Sequence, residues 1–162
     1  MQSIRIPSTI IVGVAALSLA ACGGTSVGSA ATPSPSGTSL IHTASIQVAG
    51  KTETVLKNPK GLTLYYLTAD TATSITCTGG CASNWPPLLS PSGTPTSNPA
   101  LPGTLSVFNG PNGNQVLYNG HPLYTYIKDG DTGDAYGQGL GGKWFVATPG
   151  LASAAASAYP AY

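Results

Sequence analysis

One frame occurs twice in this chain. "GLTLYYLTAD" (Gly61 to Asp70) and "GHPLYTYIKD" (Gly120 to Asp129) share Gly61/Gly120, Leu64/Leu123, Tyr65/Tyr124 and Asp70/Asp129 at a constant offset of 59 residues. The same offset pairs Thr73 with Thr132, Gly80 with Gly139 and Trp85 with Trp144, and upstream it pairs Val48 with Val107. Each Asp therefore stands fifteen residues before a Trp, in a chain that has only two. Coincidences of rare residue types at one fixed spacing indicate two copies of a supersecondary unit, each unable to bury its apolar surface alone.

Around this frame the candidate strands are short, rich in Val, Tyr, Thr and Leu, and punctuated by Gly, Asn and Pro. In the first copy they run from about Ser45 to Ala49, Thr52 to Leu56 and Leu62 to Thr68. In the second they run from about Leu105 to Asn109, Gln115 to Tyr118, Leu123 to Lys128 and Lys143 to Ala147. Apart from a single turn around Cys81 to Asn84, no window carries a helical stripe. The expected fold is all-β, with two tandem antiparallel β-meanders packed as one pseudo-symmetric sandwich or small barrel. Repeat one covers about 45–89 and repeat two about 104–149, joined by a Pro-rich connector over 86–103, so that 41–149 forms one domain.

Strand alternation puts Tyr65 and Leu67 on one face and Leu64 and Tyr66 on the other, and sets Tyr124 and Tyr126 against Leu123, Thr125 and Ile127. Both faces are apolar, so these segments are expected to be central and covered on both sides. Asp70 and Asp129 then lie at strand ends, where a carboxylate accepts hydrogen bonds from the N–H groups of the next turn.

The ends of the chain read differently. Arg5, an apolar run from Ile10 to Ala20, and Leu19-Ala20-Ala21-Cys22 form a signal-peptide pattern over 1–21. Small residues directly before Cys22 resemble the lipobox of bacterial lipoproteins, in which that Cys is acylated and becomes the mature N-terminus. Residues 22–40 are then the lipidated Cys and a tether without apolar periodicity. The Ala- and Ser-rich tail, 150–162, is expected to be loose. The implied location is the extracytoplasmic face of a cell membrane, held by the lipid. Without Arg5 the five Lys balance five acidic residues, and charged residues make up only 7% of the chain. Nothing there offers the basic footprint that nucleic acid requires.

The lipobox, the tandem Tyr-x4-Asp units, "CTGGCASNWPPLL" (Cys77 to Leu89) and "VLYNGHPLYTYIKD" followed by "GQG" and a Trp together resemble a bacterial lipoprotein family, the secreted repeat of unknown function, whose signature is Tyr-x-aromatic-x-x-Asp. The resemblance covers about Val48 to Pro149. The second copy fits through Tyr124, Tyr126 and Asp129; the first has Leu67 where the aromatic belongs, so a role needing that aromatic falls to the second copy. The resemblance implies location and fold, and no chemistry.

The residues themselves supply the chemical candidates. Cys77 and Cys81 are the pair left once Cys22 is lipidated, and outside the membrane such a pair oxidises to a disulfide. The C-x3-C spacing is not a redox C-x2-C, and with only His42 and His121 available no copper or zinc set is expected. Asp129 to Asp134 resembles a calcium loop but lacks the oxygen side chain at its fifth place and the closing Glu. Gly137 to Gly142 matches G-x-G-x-x-G but precedes a strand-like "KWFVAT", and Gly24 to Gly28 matches G-x-S-x-G without the strand and helix that motif needs. With no carboxylate pair and no Ser/Cys-His arrangement, no enzyme, metal or cofactor is expected. The candidate binding residues are His121, Tyr124, Tyr126, Asp129, Asp131 and Trp144. The expected function is a membrane-anchored, non-catalytic module that binds a small ligand or envelope component, or spaces the envelope. The alternative is a redox or metal/haem accessory protein using His121, the tyrosines and the Cys pair.

Overall fold

The structure, a computed structural model, describes residues 39–154. The signal segment, Cys22, most of the tether and the end of the tail lie outside the described residues. Among the described residues seven short strands form: β1 (His42–Val48), β2 (Lys51–Lys57), β3 (Tyr65–Leu67), β4 (Leu105–Gly110), β5 (Gly113–Tyr118), β6 (His121–Pro122) and β7 (Trp144–Val146). A helical turn, α1 (Gly80–Asn84), and a 3-10 turn (Leu140–Gly142) precede the two tryptophans. The strands make antiparallel sheets ordered β1-β2, β3-β7 and β4-β5-β6, and none closes into a barrel.

Each copy opens with a hairpin. In the first, Ala49 and Gly50 take φ of 47° and 81°, the two-residue turn whose twist matches the strands it joins. Val48 pairs with Lys51 at that hairpin's tip, whereas Val107 pairs with Val116 in mid-strand. The upstream Val48/Val107 match is therefore not a structural equivalence, because the two hairpins differ in length.

The copies are interlocked rather than merely packed together. Tyr65 and Tyr124 exchange backbone hydrogen bonds, N to O at 2.8 Å one way and 2.9 Å the other, at the centre of a pseudo-two-fold arrangement. The segment after each Trp then crosses into the opposite copy. Ala147 lies between Leu56 and Leu64, accepting from Leu56 N and donating to Leu64 O at 2.8 Å each. Leu88 does the same in the second copy, donating to Leu123 O at 2.9 Å and accepting from Val116 N at 2.8 Å. Each meander is thus completed by a segment from the other.

Proline makes the two crossings unequal. β3 pairs residue for residue with β7, Tyr65 to Val146 and Leu67 to Trp144. The corresponding partner of Tyr124 to Tyr126 is Trp85-Pro86-Pro87, which lacks two N–H donors. A bridge from Pro87 to Tyr124 remains, with the bonds from Leu88 N to Leu123 O, Thr125 N to Pro86 O and Ile127 N to Asn84 O. Of the strand expected over Leu123 to Lys128, residues 123–126 are for that reason an extended segment without a ladder, and Ile127 and Lys128 form a turn closed by Asp129 N donating to Tyr126 O at 3.1 Å.

The alternation of the central segments holds. Tyr65, Leu67 and Tyr124 join Val55, Trp85, Trp144 and Val146 in one apolar cluster; Leu64 and Leu123 join Leu56, Leu88, Val116 and Ala147 in a second on the opposite side. Residues 150–154, expected to be loose, are instead fastened to the β5-β6 turn. Asn119 Nδ2 donates to Leu151 O at 2.7 Å and Ala154 N to Asn119 O at 2.8 Å. Tyr118, fully buried, donates its hydroxyl to Pro149 O at 2.6 Å. Backbone groups that find partners there outweigh the low apolar content of the tail.

Candidate functional site

The repeated Tyr and Asp meet across the copies. Tyr65 donates its phenol to Asp129 Oδ2 at 2.6 Å, and Tyr124 donates to Asp70 Oδ2 at 2.5 Å. The other carboxylate oxygen does the work expected of a strand end: Asp70 Oδ1 accepts from Thr76 N at 2.8 Å and Thr76 Oγ1 at 2.6 Å, and Asp129 Oδ1 accepts from Tyr136 N at 3.1 Å. All four residues are buried. The Tyr-x4-Asp unit is thus a reciprocal clasp, and Tyr124 and Asp129, expected as ligand-binding residues, are instead held in the core by their opposite numbers.

Electrostatics follow from that burial. Desolvation pushes the Tyr65 and Tyr124 phenols far above the ordinary phenol range, and the neighbouring carboxylates raise them further. Burial also pushes the Asp129 carboxyl up, against the Tyr65 phenol and the Tyr136 N–H, which hold it down. Lys57 is buried beside this loop, with Nζ 2.8 Å from Thr63 Oγ1 and 2.7 Å from Thr132 O; desolvation lowers its pKa while Asp129 and Asp134 oppose the shift. Phenols raised in the folded state stabilise it fully below the unfolded value of about 10, and that stability declines as pH rises toward their folded values. In an absorbance titration near 295 nm, Tyr65 and Tyr124 are therefore expected to ionise only together with loss of the near-ultraviolet circular dichroism of the fold. Ionisation of all eight tyrosines while the fold persists would contradict the clasp.

Around the clasp the aromatic rings form one stack. Trp85 and Trp144 lie face to face, centroids 3.7 Å apart and planes at 3°, so the repeat brings its two tryptophans together on the pseudo-axis. Tyr65 and Tyr124 meet Trp85 and Trp144 edge-on at 5.5 Å and 5.2 Å. Tyr126 covers the other side of Trp85 at 4.3 Å, a position the first copy fills with Leu67 against Trp144. Gly137 admits the stack: a Cβ there would stand 2.7 Å from Tyr65 Cε1 and 2.9 Å from Trp85 Cη2. That close approach is the structural reason for the first Gly of the G-x-G-x-x-G run.

Where the stack surfaces, it floors a cleft of about 480 Å³. Trp85, Trp144 and Tyr126 supply its aromatic wall; Lys128 and Lys143, both exposed, supply its charge. Asn84 and Leu140 complete the rim, with Cys81 beside them in the Cys77–Cys81 disulfide, Cα atoms 5.1 Å apart. A volume of this size with apolar walls and a few polar groups is what a small-ligand site requires. A second cleft of about 490 Å³ runs along β1 toward Lys57, with Thr43, Ser45 and Asn58 among its lining residues, and it has no aromatic wall.

Of the six candidate binding residues, only Tyr126 and Trp144 line the aromatic cleft. His121 stands 4.7 Å from Tyr66 by ring centroids, with Nε2 3.1 Å from Ala152 O, and burial lowers its pKa. Asp131 is exposed and caps its own loop, accepting from Thr132 N at 2.6 Å. Of the other second-copy candidates, His121 holds the tail and Asp131 holds a turn, and the cleft draws on both copies. Sequence reasoning missed Asn84, Trp85, Lys128, Leu140 and Lys143. The signal available for Trp85 was its match with Trp144, since equivalent residues can meet on a two-fold axis.

A protein family described as a secreted repeat of unknown function matches the chain twice, at residues 47–89 and 106–148, which together cover about half of it. The matches end just past Leu88 and Ala147, the residues that cross between copies. No curated protein and no solved structure matches the chain.

Proposed function

Because this chain belongs to the family described as a secreted repeat of unknown function, we propose that it is a lipid-anchored, non-catalytic binding module working outside the cytoplasm. The observation that carries the reading is the aromatic cleft. Cys22, preceded by small residues, is the anchoring point. The interlocked core keeps the cleft walls fixed, so a ligand meets a preformed surface and little ordering cost. The alternative redox or metal role has less support, since His121 does not line the cleft that holds Cys81 and so does not meet the Cys pair there.

Two measurements test the proposal. Cys22→Ser is expected to move the protein from the membrane fraction to the medium or periplasm, and unchanged membrane retention would count against the anchor. A ligand-observed magnetic-resonance screen of small aromatic and sugar compounds is expected to return hits on the unaltered protein that vanish with Asn84→Trp, which fills the exposed rim of the cleft. Hits that survive the substitution, or a screen with none, would favour an envelope spacer.

A further inference from the structure

We infer that the cleft selects a flat, apolar-bodied ligand carrying a carboxylate or comparable anionic group, an aryl acid rather than a neutral sugar or a cation. The inference rests on the cleft being a binding site and adds its chemical class. Lys128 and Lys143 both line it, and no Asp or Glu does. In a chain with five Lys and five acidic residues, two ammonium groups at one mouth without a carboxylate are a local excess of positive charge. Each ammonium offers three donors and no acceptor, and the side-chain acceptors in the lining are confined to Asn84 Oδ1, Tyr126 Oη and the disulfide sulfur of Cys81. A polyhydroxylated ligand pairs its hydroxyl protons with acceptors, and the side chains here offer it fewer acceptors than donors. A cation would meet two like charges. An anion satisfies both lysines, while its planar body lies along Trp144, Tyr126 and Leu140.

The two tryptophans of the chain both stand in this cleft, so their indole N–H signals report on it directly. The probes are 2-naphthoate, 2-naphthylmethanol and 2-naphthylmethylammonium, which share one ring system and differ in charge. The expected result is a saturable shift of both indole signals with 2-naphthoate, at an affinity about tenfold above that for the alcohol, and no saturation with the ammonium compound. Lys128→Gln and Lys143→Gln are each expected to weaken naphthoate about threefold, and the pair about tenfold, as exposed charge pairs do. Lys51→Gln, on an exposed residue that does not line the cleft, is expected to change nothing. Both cleft lysines are exposed, so melting temperatures serve as a check that the variants fold as the parent does. If naphthoate and the alcohol bind within twofold of each other, the anionic class is overturned while the cleft stands as a site. If no probe moves the indole signals, the cleft reading falls with it.

Discussion

Cut between Ala100 and Leu101, the domain is expected to yield two fragments, 39–100 and 101–154, that are each unfolded alone and fold when mixed. The expectation follows from the crossing strands. The first fragment lacks Ala147, which bonds to both Leu56 and Leu64, and the second lacks Leu88, which bonds to both Val116 and Leu123. Each fragment also loses the acceptor for its central phenol, because Asp129 serves Tyr65 and Asp70 serves Tyr124. A chain of about sixty residues is already marginal, and one with a missing strand and an exposed half-core falls below the limit. Circular dichroism and analytical ultracentrifugation read the outcome: disordered monomers separately, and a one-to-one complex with a cooperative melt together. Independent sharp melting of either fragment would mean that the copies are autonomous and that the crossing adds nothing to them.

Asp129→Ala and Asp70→Ala are expected to destabilise the intact domain by about 3 kcal/mol each, the range for stripping a buried donor of its charged acceptor. For a domain of this size that is a fall of roughly 10 to 20 °C in melting temperature. Asp70→Ala also frees Thr76 N and Oγ1, and Asp129→Ala frees Tyr136 N, so both variants loosen a loop as well as a clasp. The diagnostic measurement is a double-mutant cycle across the copies. Tyr65 is expected to couple to Asp129 by 1 kcal/mol or more in magnitude (about 1 to 2), and to Asp70, the Asp of its own Tyr-x4-Asp unit, by much less. Coupling within the repeat rather than between the copies would reject the reciprocal arrangement. The comparison needs no knowledge of ligand, because it reads stability alone.

Several features were legible in the sequence because they depend on neighbours along the chain. Alternation put Tyr65 and Leu67 on one face and Leu64 on the other; Gly79-Gly80 let Cys77 and Cys81 close a small loop; a carboxylate at the end of an extended segment caught the next turn's N–H groups. The repeat itself announced two equivalent units, and equivalence predicted a shared core. Other features depend on residues far apart in the chain, and the tertiary structure alone decided them. A strand-end Asp declares that it will accept a proton donor, but Tyr65 reaches Asp129 across 64 residues, and that choice exists only once the strands have crossed. The Trp85–Trp144 stack is the same kind of fact, since spacing marks the two residues as equivalent without saying whether they lie at opposite ends of the molecule or on its axis. The cleft draws on residues of α1, the segment after Tyr124 and the loop before β7, so the charge excess of Lys128 and Lys143 has no signature in local composition. Periodicity and turn chemistry act over a few residues and are written in order, whereas the partner of a buried polar group is settled by which surfaces the whole chain can bury at once.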